Sequence, residues 1–208
     1  MFDLKRIEMV LFDYGNVISR FNWKVFFARL LGNDPSRIEK FSKEYFTPNG
    51  IFDLLETGKV EVGVFFQEIE KLAGKKYEGN WLKWAFCDYF IPILETRKFI
   101  RDLKQKKIRL GLLSNTNILH TESEISINPI FHLFDQVTLS YEVKFRKPDP
   151  EIYQDAIKKF GGDPGGILYL DDVLSYVEAA SRIGIQGLHC DNTERIIKKL
   201  RIDFGIPE

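Results

Sequence analysis

Cysteine is scarce in this chain. Cys87 and Cys190 are the only two in 208 residues, too few and too far apart for a disulfide framework or a zinc site. Net charge is missing as well. Thirty Lys and Arg balance thirty Asp and Glu, which removes any overall electrostatic case for nucleic acid or an anionic membrane as partner, though a local basic pocket stays open. No apolar run approaches the roughly 20 residues that a membrane helix needs. The opening "MFDLKRIEMVLF" places charges where a signal peptide requires an apolar stretch. Internal repeats and low-complexity tracts are lacking too. The glycine-rich "GGDPGG" at 161–166 precedes a strand pattern, whereas a phosphate-cradling loop opens a helix, so it reads as a turn. What is present suits a packed globular protein: 44% hydrophobic and 14% aromatic residues, enough for one core with or without a small insertion. The expected setting is the cytoplasm.

Five short apolar runs punctuate the chain: "MVLF" (9–12), "IRLGLLS" (108–114), "QVTLS" (136–140), "ILYL" (167–170) and "IQGLHC" (185–190). They lack polar alternation, as parallel strands covered on both faces do. Between the later runs lie helical patterns, in "PILETRKFIRDLKQKK", "PEIYQDAIKKF", "YVEAASRIG" and "TERIIKKLR". Strands alternating with helices predict an α/β fold with a doubly wound parallel sheet flanked by helices. Residues 18–90 break that rhythm. This interval carries helical signatures in "NWKVFFARLLG", "DPSRIEKFSKEYF", "VEVGVFFQEIEKLAG" and "NWLKWAFCDYF", with Asp34 before Pro35 as an N-cap pair. It reads as an all-helical insertion covering the open end of the sheet, which leaves 1–17 and 91–208 as the α/β core.

Reactive groups in open α/β sheets collect at the carboxyl ends of the strands. The first run delivers Asp13, and the second ends in Ser114, Asn115 and Thr116. The third is followed by Lys147 next to Pro148, and the fourth ends in the pair Asp171 and Asp172. Each alone has a bland explanation as a cap, a turn or a solvated loop residue. All on one sheet edge, they are complementary. Carboxylates converging on one spot repel unless a cation sits among them. Hard oxygen ligands favour Mg²⁺, and a hydroxyl with an ammonium beside it completes a cradle for a phosphoryl group. A carboxylate facing the phosphorus can attack it, giving an aspartyl-phosphate that water hydrolyses.

The four motifs, "FDYGNVI", "LLSNT", "KPDP" and "LDDV", in this order, resemble those of the haloacid dehalogenase superfamily, most of whose members are Mg²⁺-dependent phosphatases. The resemblance spans essentially the whole chain. It implies a Rossmann-like core with a small helical cap after the first strand. Asp13 would be nucleophile and metal ligand, with the backbone carbonyl of Gly15 as a further ligand. Ser114 and the Asn115 amide would bind phosphate, and Lys147 would stabilise the phosphoryl charge and the nucleophile. Asp172 would be the first choice as direct metal ligand and Asp171 the second. A closer similarity is to the branch holding bacterial glucose-1-phosphate phosphatases and the phosphatase domain of soluble epoxide hydrolase. "SNTNILH" carries it, with His120 as a candidate contact to substrate or cap, and so does the Glu-x-Gly segment in "LETGKV".

One position departs from the superfamily. Most of its phosphatases carry a second aspartate two residues after the nucleophile, which protonates the leaving oxygen; here that residue is Gly15. General acid help is typically worth about 10²- to 10⁴-fold. Its loss leads to the expectation that better leaving groups, such as anomeric sugar phosphates or acyl phosphates, are favoured. The expected function is hydrolysis of a small phosphomonoester, a sugar phosphate first among them. Competing readings are a catalytically silent phosphate-binding module and a 2-haloacid dehalogenase, the latter at odds with an intact "LDD" metal pair. A receiver domain also combines these residue types, but in the wrong order along the chain. Arg20, Asn22 and Trp23, just past the first motif, are read as hinge and cap-core residues with substrate contact as the alternative.

Overall fold

The computed structural model describes residues 4–88 and 90–207. Tyr89, inside the last expected helical segment of the insertion, lies outside these. The chain enters the core through β1 (Met9–Phe12), which is buried at every position. It then forms β2 (Ser19–Arg20) and five helices: α1 (Trp23–Leu31), α2 (Pro35–Tyr45), α3 (Ile51–Glu56), α4 (Val62–Ala73) and α5 (Trp81–Cys87). It returns through β3 (Ile91–Pro92) and α6 (Leu94–Gln105) to β4 (Arg109–Ser114). Next come α7 (Ile118–His120), β5 (Gln136–Leu139), α8 (Ser140–Val143) and α9 (Pro150–Phe160). The chain closes with β6 (Ile167–Asp171), α10 (Leu174–Arg182), β7 (Gln186–His189) and α11 (Thr193–Asp203). No helix among the described residues is long and apolar enough to cross a membrane.

The main sheet has the order β5-β4-β1-β6-β7, and all its pairings are parallel. Neighbouring positions along each strand face opposite sides, and both sides are covered. Val10, Phe12, Leu112, Leu168 and Leu170 pack with Phe99 and Leu103 of α6 and Ile197 and Leu200 of α11. Met9, Leu11, Leu113 and Tyr169 pack on the other face with Ile152, Tyr153 and Ala156 of α9 and Ala179 and Ala180 of α10. That double burial is the physical reason the strand runs show no polar alternation. Because the first strand is central, the chain order switches direction at its flank, which opens a crevice at the carboxyl edge.

Helices α1–α5 gather around a separate, aromatic-rich cluster that includes Phe26, Phe27, Phe41, Tyr45, Phe65 and Phe86. The antiparallel pairing of Ser19 with Pro92 and Arg20 with Ile91 ties the chain entering this unit to the chain leaving it. Local signals set the helix starts. Asp34 accepts hydrogen bonds from Ser36 and Arg37 backbone N–H at 3.0 and 3.3 Å, with Pro35 next in the first turn of α2. Asn22 does the same for Lys24 at 3.0 Å. Helix α3 is not expected from the sequence: six residues without a side-chain cap are too few to display a 3.6-residue period.

Leu170 sits in the sheet interior beside β1, fully buried. Leu170→Ala is expected to cost about 2–5 kcal/mol in urea unfolding, with an unchanged m value. A loss under 1 kcal/mol would contradict this packing.

Candidate functional site

Strand register brings the acidic groups together. Phe12 pairs with Leu170, so the next residues along each strand, Asp13 and Asp171, stand level at the sheet's carboxyl edge. A hydrogen bond from the Asp13 backbone N–H to the Leu170 carbonyl at 2.9 Å extends the ladder to that point. Asp172 follows immediately. Asp13, Asp171 and Asp172 each present a carboxylate oxygen, and these oxygens lie within 4.8 Å of one another.

Lys147 lies between two of them. Its ammonium donates to Asp13 Oδ1 and Asp171 Oδ2, both at 2.7 Å, and to the Leu113 carbonyl at 3.3 Å. With 1% of its surface exposed, Lys147 is among the most buried side chains in the molecule. Burial opposes its charge, but the two carboxylates outweigh that and hold it protonated. Asn115 positions it from behind: its Oδ1 accepts from the Lys147 backbone N–H at 2.7 Å, and its Nδ2 donates to the Lys147 carbonyl at 3.0 Å. The side chain of Asn115 thus grips the lysine backbone.

The three carboxylates are not equivalent. Asp171 is fully buried and surrounded by donors: Lys147, the Tyr169 hydroxyl, and the Val173 N–H at 2.7 Å. Asp172 borders the cavity, steadied by Asn16 Nδ2 at 3.0 Å. Asn16 itself adopts φ 53°, a left-handed conformation that asparagine tolerates better than most residues. Burial, offset by the Lys147 charge but reinforced by Asp171 and Asp172, pushes Asp13 up to about 8. With all three ionised, the carboxylates exceed the one ammonium by two negative charges; burial first, and then this excess, raises Asp13 and Asp172, and the donor set is all oxygen. These residues fit a hard divalent cation.

Gly15 has a structural counterpart that the sequence does not reveal. A Cβ added there would collide with the ring of Phe21. That ring is in turn held by Trp23 and Phe90, at centroid distances of 5.5 and 6.0 Å. An aromatic ring therefore occupies the space into which a side chain at position 15 would project.

Above the carboxylates lies a cavity of about 280 Å³. Ser114, Asn115, Lys147 and Asp172 border it from the sheet side, and Trp23, Phe46, Phe52 and Glu56 from the helical unit. Of the residues beyond the first motif, Trp23 borders the cavity, while Arg20 pairs with Glu194 and Asn22 caps α1. Of the two contacts expected for His120, to substrate or to the helical insertion, its ring makes the second through hydrogen bonds. Asn117 Nδ2 donates to its Nδ1 and its Nε2–H donates to the Phe86 carbonyl, both at 3.1 Å. Burial holds its pKa down to about 4, and the ring stacks on Phe86 at 4.4 Å. Its ring touches the cavity, but its nitrogens join α7 to α5.

Sequence reasoning passed over Arg146. Its guanidinium pairs with Asp53 and, at 2.9 Å, with Glu56 Oε2, both on α3. Its neighbour Lys147 serves the acidic cluster, so consecutive cations in "FRKPDP" reach two different acid groups. Nothing local marks Asp53 and Glu56 as partners from 93 and 90 positions upstream.

A parallel α/β sheet with a lysine-bridged acid cluster at its carboxyl edge puts an all-oxygen donor set where such sheets bind their ligands. A family model described as haloacid dehalogenase-like hydrolase matches residues 85–184. Over 197 residues the chain is 27% identical to a D-ribitol-5-phosphate phosphatase of Bacteroides thetaiotaomicron, covering 89% of this chain and 93% of that protein. Among solved structures, a HAD family enzyme from Bacteroides thetaiotaomicron in complex with magnesium and inorganic phosphate superposes with a TM-score of 0.75. It is 25% identical and covers 88% of this chain and 93% of its own. A HAD-like family hydrolase from Porphyromonas gingivalis gives a TM-score of 0.74 at 25% identity, covering 94% and 98%. The family match covers residues 85–184, and the fold of the described residues is that of haloacid dehalogenase-like hydrolases.

Gly15→Asp is expected to force the Phe21 ring aside, at an overpacking cost of about 1–3 kcal/mol. Adding Phe21→Ala should recover most of that loss in urea unfolding. A single variant as stable as the parent would show that the ring does not guard this position.

Proposed function

We propose that the protein is a Mg²⁺-dependent phosphatase of a small phosphomonoester, a sugar phosphate being the first candidate class. One observation carries the reading: a buried carboxylate, Asp13, at a cavity floor beside Ser114 and Asp172, with an ammonium held 2.7 Å away. The related ribitol phosphate phosphatase supports a phosphorylated metabolite as substrate, and the cavity has room for a phosphate and a compact organic group.

In this reading Asp13 is the nucleophile. Its free oxygen attacks phosphorus while Lys147 neutralises charge on both the carboxylate and the phosphoryl oxygens. The Ser114 hydroxyl and the Asn115 backbone N–H bind the phosphoryl group, since the Asn115 side chain is committed to Lys147. Asp13, the Gly15 carbonyl and Asp172 would hold the cation directly. Asp171, saturated with donors, supports them from behind. Bound there, Mg²⁺ would balance the excess negative charge and polarise the phosphoryl oxygens. Residues 18–90 act as a cap that closes the site and contributes Trp23, Phe46, Phe52 and Glu56 to its lining, and 1–17 with 91–208 form the catalytic core. The complete set of nucleophile, lysine, serine and acidic pair weighs against a silent module. The glucose-1-phosphate branch enters as one substrate hypothesis among sugar phosphates.

Hydrolysis of p-nitrophenyl phosphate is expected with Mg²⁺ and is expected to stop on chelation. Asp13→Asn should reduce the rate to that of buffer while circular dichroism shows an intact fold. If the unmodified protein turns over no phosphomonoester, acyl phosphate or nucleotide, the reading is wrong.

A further inference from the structure

A phosphatase that expels an alkoxide needs a proton source, and the position where this family usually keeps one is a glycine covered by the Phe21 ring. The replacement must be a titratable group that faces the cavity and has a proton to give. Several cavity residues fail that requirement. Lys147 and Arg146 are cations paired with carboxylates. The nitrogens of His120 are bonded to Asn117 and the Phe86 carbonyl. The Tyr14 hydroxyl is directed to Glu124 at 3.1 Å, and burial raises it above the ordinary tyrosine range. Asp13 and Asp172 belong to the acid cluster itself.

Glu56 remains. It ends α3, borders the cavity, and is 5% exposed. Arg146 Nη2 stands 2.9 Å from its Oε2, but the contact lacks the alignment of a hydrogen bond, and this oxygen and Arg146 Nε are both buried without hydrogen-bond partners. Leaving a buried carboxylate oxygen in that state is costly, and a ligand in the cavity would relieve it. The backbone of Glu56 is fixed to the core. Ser140 Oγ donates to the Glu56 carbonyl at 2.6 Å and accepts from the Thr116 N–H at 2.9 Å, two residues beyond Ser114. Lys144 Nζ adds a hydrogen bond to the Gly58 carbonyl at 2.9 Å. The end of α3 is thereby held against the loop that carries the phosphate-facing serine.

Resting on the phosphatase reading above, we infer that Glu56 is the general acid and base of this enzyme, supplied by the helical insertion in place of a side chain at position 15. In the first half-reaction the Asp13 oxygen forms a bond to phosphorus and the bond from phosphorus to the ester oxygen breaks. That oxygen keeps the electron pair and takes the Glu56 proton, leaving as the alcohol. In the second, the Glu56 carboxylate takes a proton from water as the water oxygen attacks phosphorus. The bond to Asp13 breaks, restoring its carboxylate and releasing inorganic phosphate.

The electrostatic setting is compatible with both roles. Burial pushes Glu56 up to about 7, opposed by Arg146, raised further by Asp53 on its own helix, and opposed again by Lys147. Tyr176 of α10 also faces it. Both protonation states are then populated near neutrality, as a group that first donates and then accepts a proton requires.

The test is a series of aryl phosphates of similar shape with phenols of graded acidity, measured as kcat/KM with Mg²⁺ in wild type and Glu56→Gln. Below pH 7 the wild type should show little dependence on leaving-group acidity. The variant should lose about 10²- to 10⁴-fold on the least acidic phenols and far less on the most acidic. A merely structural role would lower every substrate by one common factor, and parallel lines for the two proteins overturn the inference. A second measurement needs no variant. Because the acid must be protonated, the wild-type rate on poor leaving groups should fall as pH rises through about 7, and its leaving-group dependence should steepen. A steep dependence at every pH overturns the inference as well. Absence of turnover with every ester instead removes the phosphatase reading beneath it.

Discussion

The ammonium of Lys147, enclosed between Asp13 and Asp171 at 2.7 Å from each, is the contact around which the rest of the molecule is arranged. Burying a charge is expensive unless its partners are close and well oriented. Three features meet that condition. The register of β1 against β6 places Asp13 and Asp171 side by side. Asn115, at the end of β4, grips both polar groups of the Lys147 backbone. Tyr169 and the Val173 N–H satisfy the oxygens of Asp171. One lysine cannot balance three ionised carboxylates, and that residual charge is what suits the crevice to a cation rather than to a closed ion pair.

The next residue back extends the same logic to the helical unit. Arg146 reaches Asp53 and Glu56 on α3, so adjacent cations tie the insertion and the acid cluster to one short segment. A displacement of α3 would disturb Arg146, and through it the backbone that carries Lys147. Ser140 reinforces the link by bridging the Glu56 carbonyl and Thr116. Exposed ion pairs contribute little, but these are largely shielded from solvent and share partners, the circumstance in which such contacts matter.

Much of this was legible in the sequence, for identifiable reasons. The three central strands β1, β4 and β6 coincide closely with apolar runs because parallel strands buried on both faces leave a continuous signature. The half-buried edge strands β5 and β7 fall within the runs at 136–140 and 185–190. Helix α9 matches "PEIYQDAIKKF" because Pro150 and Gly161 mark its ends. Asp13, Ser114, Asn115, Asp171 and Asp172 stand together because parallel strands end on one edge of the sheet, and the loop after α8 brings Lys147 among them. What escaped depends on contacts distant in sequence. The partnership of Arg146 with Glu56 joins residues 90 positions apart, and no periodicity encodes it. The Phe21 ring over Gly15 is invisible without coordinates, as is the commitment of the Asn115 side chain to Lys147. For His120 the sequence left substrate and helical insertion open as contacts; its ring nitrogens go to Asn117 and to Phe86 of the insertion.

The central claim is that Asp13, Asp171 and Asp172 form a cation site with Asp172 as a direct ligand. Calorimetric titration with Mg²⁺ of the wild type and of Asp172→Asn, both checked for an intact fold, tests it most directly. The expected result is one site in the wild type and affinity reduced at least about tenfold, or roughly 1.4 kcal/mol, in the variant. Equal affinity in the two proteins, or no binding to the wild type, would contradict it.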